Sequence, residues 1–295
     1  MSASSTEASR EDNVTVVRLL VSCPDRPGIV AAIARTICEL GGNIIHSDQH
    51  TTDPSGGEFF MRVEFTLREP ADRAALAAAV DRLTHEFGMQ VVVRFAEEKK
   101  RVAIFVSRLE HCLVDLLWRW KTGELPMAMA AVVSNHEELR HVVAPFGLPF
   151  TVFPVTPETK RQQEDEILAC LDGQVDLVVL ARYMQILTPT FVAAYPSRII
   201  NIHHSFLPAF VGGRPYEQAA KRGVKIIGAT AHYATEGLDE GPIIEQDVVR
   251  VSHRDGVADL MRKGKDIEKA VLARAVRWHL EDRVLVWGNR TVVFA

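Results

Sequence analysis

The chain has 295 residues, of which 47% are hydrophobic and 24% are charged, which is typical of a soluble globular protein large enough for two domains. Its 34 Lys and Arg residues stand against 38 Asp and Glu residues, so the chain lacks the basic excess that nucleic acids attract. No apolar run approaches the roughly 20 residues needed to span a bilayer, so we expect a cytoplasmic protein without membrane contact, preceded by a short disordered tail.

The region after this tail alternates β-branched segments with segments of helical periodicity. Gly41 and Gly42 end the first helical segment, and a turn signal at residues 54–57 joins two strand-like segments. We predict strands over 14–23, 43–53, 58–67 and 89–96 and helices over 29–40 and 71–88. The order βαββαβ is the ferredoxin-like layout, which covers one sheet face with helices and leaves the other open. We therefore expect this chain to form a homo-oligomer through the open face.

A cluster of charged residues, Glu97 to Arg101, interrupts the apolar pattern. A solvated charged stretch is poor core material, so we place the domain boundary there. The prediction is a smaller domain over residues 14–97 and a larger domain over residues 101–295.

Strand-like and helical segments take turns in the larger region. We predict strands over 102–107, 127–134, 149–155, 176–181 and 198–204, and helices beginning near His111, Glu137, Glu158, Thr188 and Arg214. This alternation indicates an α/β fold, with a Rossmann-like parallel sheet covered by helices on both faces. Reactive groups in such folds gather beyond the carboxyl ends of the strands, which here means the loops after Val106, Val133, Leu180 and Ile202.

The strand that ends in RIINIHHSF carries Asn201 and His203 at alternate positions. Alternate residues of a strand share a face, so an amide that can donate to a carbonyl oxygen lies beside an imidazole that can move a proton near neutral pH. The pair is therefore a candidate for acid–base chemistry. From spacing alone, polar residues that merely cap the end of a strand explain the pattern equally well.

A second polar segment, ATAHYATEGLDEGP, follows the strand-like KIIGAT and places His232 and Asp239 in a long predicted loop. Asp239 lies between turn-forming residues, which suits a carboxylate that orients His203 or an attacking water. The alternative is an Asx-type turn contact within the loop itself, and the spacing alone favours that alternative.

Three other motifs argue against metal or nucleotide chemistry. The histidines of HEELRH, His136 and His141, are five residues apart, whereas a zinc-binding helix needs a four-residue step. Gly212 and Gly213 lack the lysine and the context of a phosphate-binding loop. The first loop of the larger domain, VSRLEHCL, has no glycine, which disfavours a nicotinamide site.

The four cysteines have neither metal-type spacing nor an evident disulfide role, so we expect reduced thiols, mostly buried: Cys23, Cys38, Cys112 and Cys170. We accordingly expect no metal and no redox cofactor.

INIHHSFLP together with HYATEGLDEGPII resembles the signature of the formyltransferase family that uses 10-formyltetrahydrofolate. The resemblance implies that Asn201, His203 and Asp239 are the catalytic set. It also implies that the substrate-binding residues are Met184, Gln185, Ile186 and Leu187 at the pterin, with Ser205, His232, Thr235 and Gly237 nearby. The alternative for the three apolar residues of ARYMQIL is an ordinary core at a strand-to-helix junction.

The smaller domain resembles ACT regulatory domains, whose ligands are usually amino acids bound near the first loop and second strand. The resemblance implies a regulatory ligand site at Asp25, Arg26, Pro27, Gly28 and Asn43. The alternative is that DRPG simply begins a helix.

An ACT-like domain followed by EHCLVDLLWRW in place of a phosphate loop is similar to the hydrolase branch of this family. The resemblance implies hydrolysis of 10-formyltetrahydrofolate to tetrahydrofolate and formate, which would balance the one-carbon pool and supply formate for purine synthesis. Two alternatives stay open, a formyltransferase that acts on an amine and a non-catalytic sensor of folate or an amino acid.

Overall fold

The computed structural model describes residues 14–53, 55–68, 70–208 and 215–295. The predicted disordered tail, Pro54 of the predicted turn and the Gly212-Gly213 motif lie outside these residues. The chain separates into two compact units, one that ends at Glu98 and one that runs from Lys99 to Val293. Within the described ranges, no helix combines the length and apolar character that crossing a membrane requires.

The first unit is an antiparallel four-stranded sheet with two helices. Its elements are β1 (Val14–Pro24), α1 (Ile29–Glu39), β2 (Asn43–Thr51), β3 (Glu58–Arg68), α2 (Arg73–Phe87) and β4 (Gln90–Phe95). The strands lie in the order β2-β3-β1-β4, so the predicted ferredoxin-like layout is confirmed. Helix α1 buries Ile29, Ile33 and Ile37, one residue per turn, against the sheet.

The second unit is built on a seven-stranded mixed sheet. Its elements are β5 (Lys100–Val106), α3 (His111–Lys121), β6 (Met127–Ser134), α4 (Arg140–Val143), β7 (Phe150–Val152), α5 (Lys160–Leu171), β8 (Leu177–Leu180), α6 (Pro189–Ala194), β9 (Ile199–His203), α7 (Pro215–Arg222), β10 (Ile226–Tyr233), β11 (Ile243–Arg250), α8 (Val257–Leu280), β12 (Val284–Trp287) and β13 (Arg290–Val293). The strand order is β11-β10-β9-β8-β5-β6-β7.

Five neighbouring strands run parallel, as the alternation of strands and helices predicts: β7, β6, β5, β8 and β9. Strands β10 and β11 run antiparallel to their neighbours, which the sequence interpretation did not specify. The residues of β5 alternate between two cores: Val102, Ile104 and Val106 pack with α3 and α8, whereas Ala103 and Phe105 pack with α5 and α6. The predicted helices on both faces are therefore confirmed.

Three local predictions need correction. The helix predicted near Glu137 is only the single turn α4 followed by a 3₁₀ turn at Ala144–Phe146, because Pro145 interrupts helical hydrogen bonding. His232 lies on β10 rather than in a loop, because pairing with β9 continues to Tyr233. The cysteines are all free, but only Cys23 and Cys112 are buried, whereas Cys38 and Cys170 are exposed.

Candidate functional site

The carboxyl end of β9 and the adjacent end of β10 bring together the polar residues that the sequence singled out. Asn201 and His203 lie two residues apart on β9 and share a face of the strand. His232 on β10 is the direct cross-strand neighbour of Asn201, because the two strands pair antiparallel with these residues in register. Three side chains from two neighbouring strands therefore converge at one edge of the sheet.

The loop between β10 and β11 carries Asp239 back to these strands. Its carboxylate Oδ2 lies 3.1 Å from Nδ1 of His203, and Oδ1 lies 3.5 Å from Nε2 of His232. Asp239 has a φ of 58°, a left-handed conformation that Asp tolerates better than most residues. Gly241 closes the loop, since any Cβ there would overlap the carbonyl oxygen of Tyr233. The loop backbone thus fixes where the carboxylate points.

His232 links the amide to the carboxylate. Its Nδ1 donates to the backbone carbonyl of Tyr233 over 3.0 Å, which fixes the orientation of the ring. Its Nε2 accepts a hydrogen bond from Nδ2 of Asn201 over 3.1 Å. One N–H of the Asn201 amide is therefore engaged with His232, and the same nitrogen has a second N–H to donate.

The carboxylate of Asp239 is held in its ionised form. Burial by itself favours the neutral acid, but the hydrogen bond from His203 favours the ionised form, and the pKa of Asp239 lies well below its usual range. A carboxylate this acidic does not take up protons at neutral pH. Its remaining roles are to orient His203 and to stabilise the imidazolium form.

His203 lines a cavity, and its second ring nitrogen, Nε2, is buried. The side chain is only 6% exposed, and within the described part of the chain Nε2 has no hydrogen-bond partner. His203, Asn201, His232 and Asp239 all line this cavity, whose volume is about 360 Å³. The arrangement can exchange a proton with a ligand at Nε2 while Nδ1 stays fixed by the carboxylate.

Two loops form the walls of the cavity, residues 182–187 after β8 and residues 234–239 after β10. Met184 and Ile186 are each 58% exposed and Leu238 is 52% exposed, which argues against the interpretation that the first loop is ordinary core. Leu187 lines the cavity and also packs against buried residues of the sheet, so for this residue both interpretations hold. The walls offer apolar surface on both sides of a slot.

Of the remaining predicted substrate-binding residues, Gln185, Thr235 and Gly237 line the cavity, and Ser205 does not. Ser205 is buried, and its backbone carbonyl accepts a hydrogen bond from the hydroxyl of Thr230, which directs this segment into the fold instead. Arg182 and His204 also line the cavity and were not predicted. Arg182 is the first residue after the predicted strand 176–181, so the sequence indicated this position as part of the site but not its residue type.

One group among the described residues has the composition of a metal site, namely His111, Cys112 and Glu268. His111 Nε2 and the Tyr216 hydroxyl already contact the two oxygens of Glu268, at 2.8 and 2.7 Å. The guanidinium of Arg182 lies 3.5 Å from the same carboxylate and repels a cation there. This group is therefore better described as a buried ion-pair network than as a metal centre.

Comparison with known proteins identifies the family. Residues 100–276 match the formyl transferase family and residues 17–81 match the ACT domain family. The chain is 54% identical to formyltetrahydrofolate deformylase of Bacillus subtilis (strain 168) over 97% of this chain and 96% of that protein. It is 57% identical to the Synechocystis protein of that name, over 94% of this chain and 98% of the other. The chain belongs to the formyltetrahydrofolate deformylase family. The family resemblance inferred from INIHHSFLP and HYATEGLDEGPII is thus confirmed, and the family is one of hydrolases.

Solved structures extend the match beyond the sequence. A formyltetrahydrofolate deformylase from Pseudomonas syringae pv. tomato is 48% identical and has a TM-score of 0.91, covering 97% of this chain and 96% of that one. A glycinamide ribonucleotide transformylase from Symbiobacterium toebii is 32% identical and has a TM-score of 0.63. The match covers 67% of this chain and 95% of the transformylase chain. The deformylase match thus covers far more of this chain than the transformylase match does.

The ACT unit contains a cavity of its own, of about 650 Å³. Four of the five residues predicted to bind a regulatory ligand line it: Asp25, Arg26, Pro27 and Gly28. Asn43 does not line this cavity. It lies at the start of β2, where it pairs with Thr66, whereas the cavity is at the other end of β2, near Thr51. Thr51 does line the cavity, and its hydroxyl donates to Asp25 over 2.8 Å.

Proposed function

We propose that this chain hydrolyses 10-formyltetrahydrofolate to tetrahydrofolate and formate, and that Asn201, His203 and Asp239 carry the reaction. The observation that carries the proposal is the His203–Asp239 pair, in which an ionised carboxylate holds one ring nitrogen of a histidine that lines the cavity. The names of the relatives support the substrate and the reaction class.

The slot between the two loops fits a flat ring system. Met184 and Ile186 on one side and Leu238 on the other offer exposed apolar surface, which suits the faces of a pterin. Gln185, Thr235 and Gly237 lie along the same walls and supply polar groups for the ring edges. A folate seated in this slot would place its formyl group toward the end of β9.

The chemistry begins when water attacks the formyl carbon. His203 takes the proton of the water at Nε2, while Asp239 stabilises the imidazolium that forms. The formyl oxygen becomes negatively charged and accepts a hydrogen bond from the amide of Asn201. His203 then returns the proton to the folate nitrogen as the carbon–nitrogen bond breaks. Water and these three side chains suffice for the sequence of steps.

In the cell, the reaction would balance the one-carbon pool and supply formate for purine synthesis, in a cytoplasmic enzyme. An amino acid bound in the ACT cavity, near Asp25 and Arg26, would regulate it. Strand β2, at the edge of its sheet, exposes Ile44 and Ile45 and offers a surface for self-association.

The direct test measures formate release from purified protein and 10-formyltetrahydrofolate with no amine present. Hydrolysis requires one formate for each tetrahydrofolate formed in buffer alone. Turnover that appears only with an added amine, with the formyl group on that amine, would instead establish a transferase. Folate binding without turnover under either condition would support a sensor.

A further inference from the structure

Arg182 is a buried arginine in the wall of the cavity, next to the residues proposed for catalysis. The side chain is 9% exposed, and it lines the cavity together with His203 and His204. Its φ of 64° is unusual for a residue other than glycine. Ser107 stabilises this conformation, since its backbone N–H donates to the Arg182 carbonyl over 3.3 Å and its hydroxyl accepts from Met184 N over 3.0 Å. Strain held in place at a cavity is typical of functional positions.

The guanidinium of Arg182 is charge-balanced, but its Nε forms no hydrogen bond with any described residue. Its ionic partner is Glu268, whose Oε2 lies 3.5 Å from Nε, longer than the 2.7–2.9 Å typical of charge-assisted hydrogen bonds. Nε is buried and has no hydrogen-bond partner in the part of the chain that the structure describes. Guanidinium has five N–H donors, and buried donors without acceptors are costly. Such a group is suited to receive the oxygens of a ligand.

Glu268, the ionic partner of this arginine, is itself fixed by contacts within the fold. The carboxylate is 1% exposed and accepts hydrogen bonds from His111 and from the hydroxyl of Tyr216. Gly264, in the interior of α8, makes room for Tyr216, because any Cβ there would overlap its ring and hydroxyl. Glycine is less favourable than alanine inside a helix, so this close packing costs helix stability.

Arg182 is also the cation on this side of the cavity. Burial, together with the nearby charges of Arg182 and His203, lowers the pKa of His204 to about 4. His204 is therefore uncharged at neutral pH, and it leaves a guanidinium as the fixed positive charge beside the end of β9. A fixed cation in the wall of the cavity, with an Nε–H that no described residue accepts, matches a small carboxylate.

We propose that Arg182 forms a binding subsite for the formate product. This inference rests on the proposed hydrolysis, in which water adds to the formyl carbon, the carbon–nitrogen bond breaks and the folate nitrogen gains a proton. The formic acid that results loses its own proton at neutral pH, so a carboxylate appears where a neutral formyl group had been. Arg182 donates to that carboxylate. Its pairing with Glu268 keeps the binding weak enough for release.

The test measures formate binding without turnover, by the line width of ¹³C-formate in NMR titrations of the full chain at constant ionic strength. The variant is the charge-balanced pair Arg182→Gln with Glu268→Gln, which leaves neither an unpaired buried cation nor an unpaired buried anion. The matched control is Arg161→Gln, an exposed arginine on α5. We expect the double variant to weaken formate binding by about tenfold or more, and the control to leave it unchanged.

Product inhibition of the hydrolysis by added formate should weaken in parallel. An active enzyme whose formate affinity is the same in wild type and double variant would overturn the subsite, and so would an active enzyme that does not bind formate. Formate binding that depends on Arg182, in a protein that releases no formate from 10-formyltetrahydrofolate, would support the subsite and refute the proposed function instead. The two failures are therefore distinguishable.

Discussion

The carboxylate–histidine pairs Asp239–His203 and Glu268–His111, both in the formyl transferase unit, differ in what surrounds them. Asp239 contacts His203 at 3.1 Å, and Glu268 contacts His111 at 2.8 Å. In each pair one ring nitrogen meets the carboxylate, and the other is buried without a hydrogen-bond partner among the described residues. His203 lines the cavity between the two loops, whereas His111 does not.

The difference shows that a carboxylate–imidazole pair is not by itself evidence of catalysis. The neighbours of Asp239 are two imidazoles on adjacent strands, and all three side chains line the cavity. The neighbours of Glu268 are a phenol and a guanidinium, which satisfy its charge within the fold. We therefore expect substitution of the first pair to affect rate and substitution of the second to affect stability.

The largest effect should follow Asp239→Asn. The amide keeps the volume but loses the charge that stabilises protonated His203, so we expect kcat to fall by about 10³–10⁴-fold while the fold is retained. Circular dichroism and steady-state formate release check the two parts. Asp165→Asn, an exposed position on α5, is the matched control and should retain full activity. Near-normal turnover in Asp239→Asn would remove this residue from the catalytic set.

Glu268→Gln should act on stability. It leaves Arg182 buried without its counter-charge, and breaking a buried pair in this way typically costs about 3–5 kcal/mol. We expect the free energy of unfolding, measured in urea, to fall by about 3 kcal/mol, and we expect the Arg182→Gln, Glu268→Gln double variant to regain most of it. A single variant as stable as wild type would show that Glu268 does not compensate the charge of Arg182.

The sequence was sufficient for the first pair and insufficient for the second. The strand period puts Asn201 and His203 on one face, whereas the turn residues around Asp239 alone favour a local contact, and only the family signature singles this residue out. The edge of the sheet could be predicted because parallel strands expose their carboxyl ends together. For Asp239, the sequence could not give the distance to His203, because that distance depends on how the loop of residues 234–242 folds back.

Residues that act through contacts distant in sequence could not be predicted. Strands β9, β10 and β11 lie between Arg182 and Glu268 along the chain, and on α8 a glutamate within a charged helix is typical of a solvated face. Its burial depends on Tyr216 and Gly264, whose packing has no local signature. His232 was assigned to a loop because the antiparallel pairing of β10 depends on a neighbour, β9, and not on its own sequence.

Gly264→Ala tests the packing around Glu268 with a smaller expected effect. The new methyl group overlaps Tyr216, so we expect a loss of about 1–2 kcal/mol in the free energy of unfolding despite the better helix propensity of alanine. In a Tyr216→Ala background the overlap is gone, and the same substitution should stabilise by up to about 1 kcal/mol. A reversal of sign in this double-mutant cycle would confirm the contact, and an equal effect in both backgrounds would contradict it.

The smallest effect should come from the apolar slot, and it should be confined to binding. Met184 and Ile186 are each 58% exposed, so their truncation to alanine removes little buried surface from the folded protein. The free energy of unfolding should therefore change by no more than about 0.5 kcal/mol. Each truncation removes apolar contact with a bound pterin, so we expect KM to rise about fivefold to tenfold with kcat nearly constant. Met261→Ala, at a similarly exposed methionine on α8, should change neither quantity. An unchanged KM in both slot variants would show that the pterin binds elsewhere. If the pterin contacts these apolar side chains, shortening them must weaken its binding.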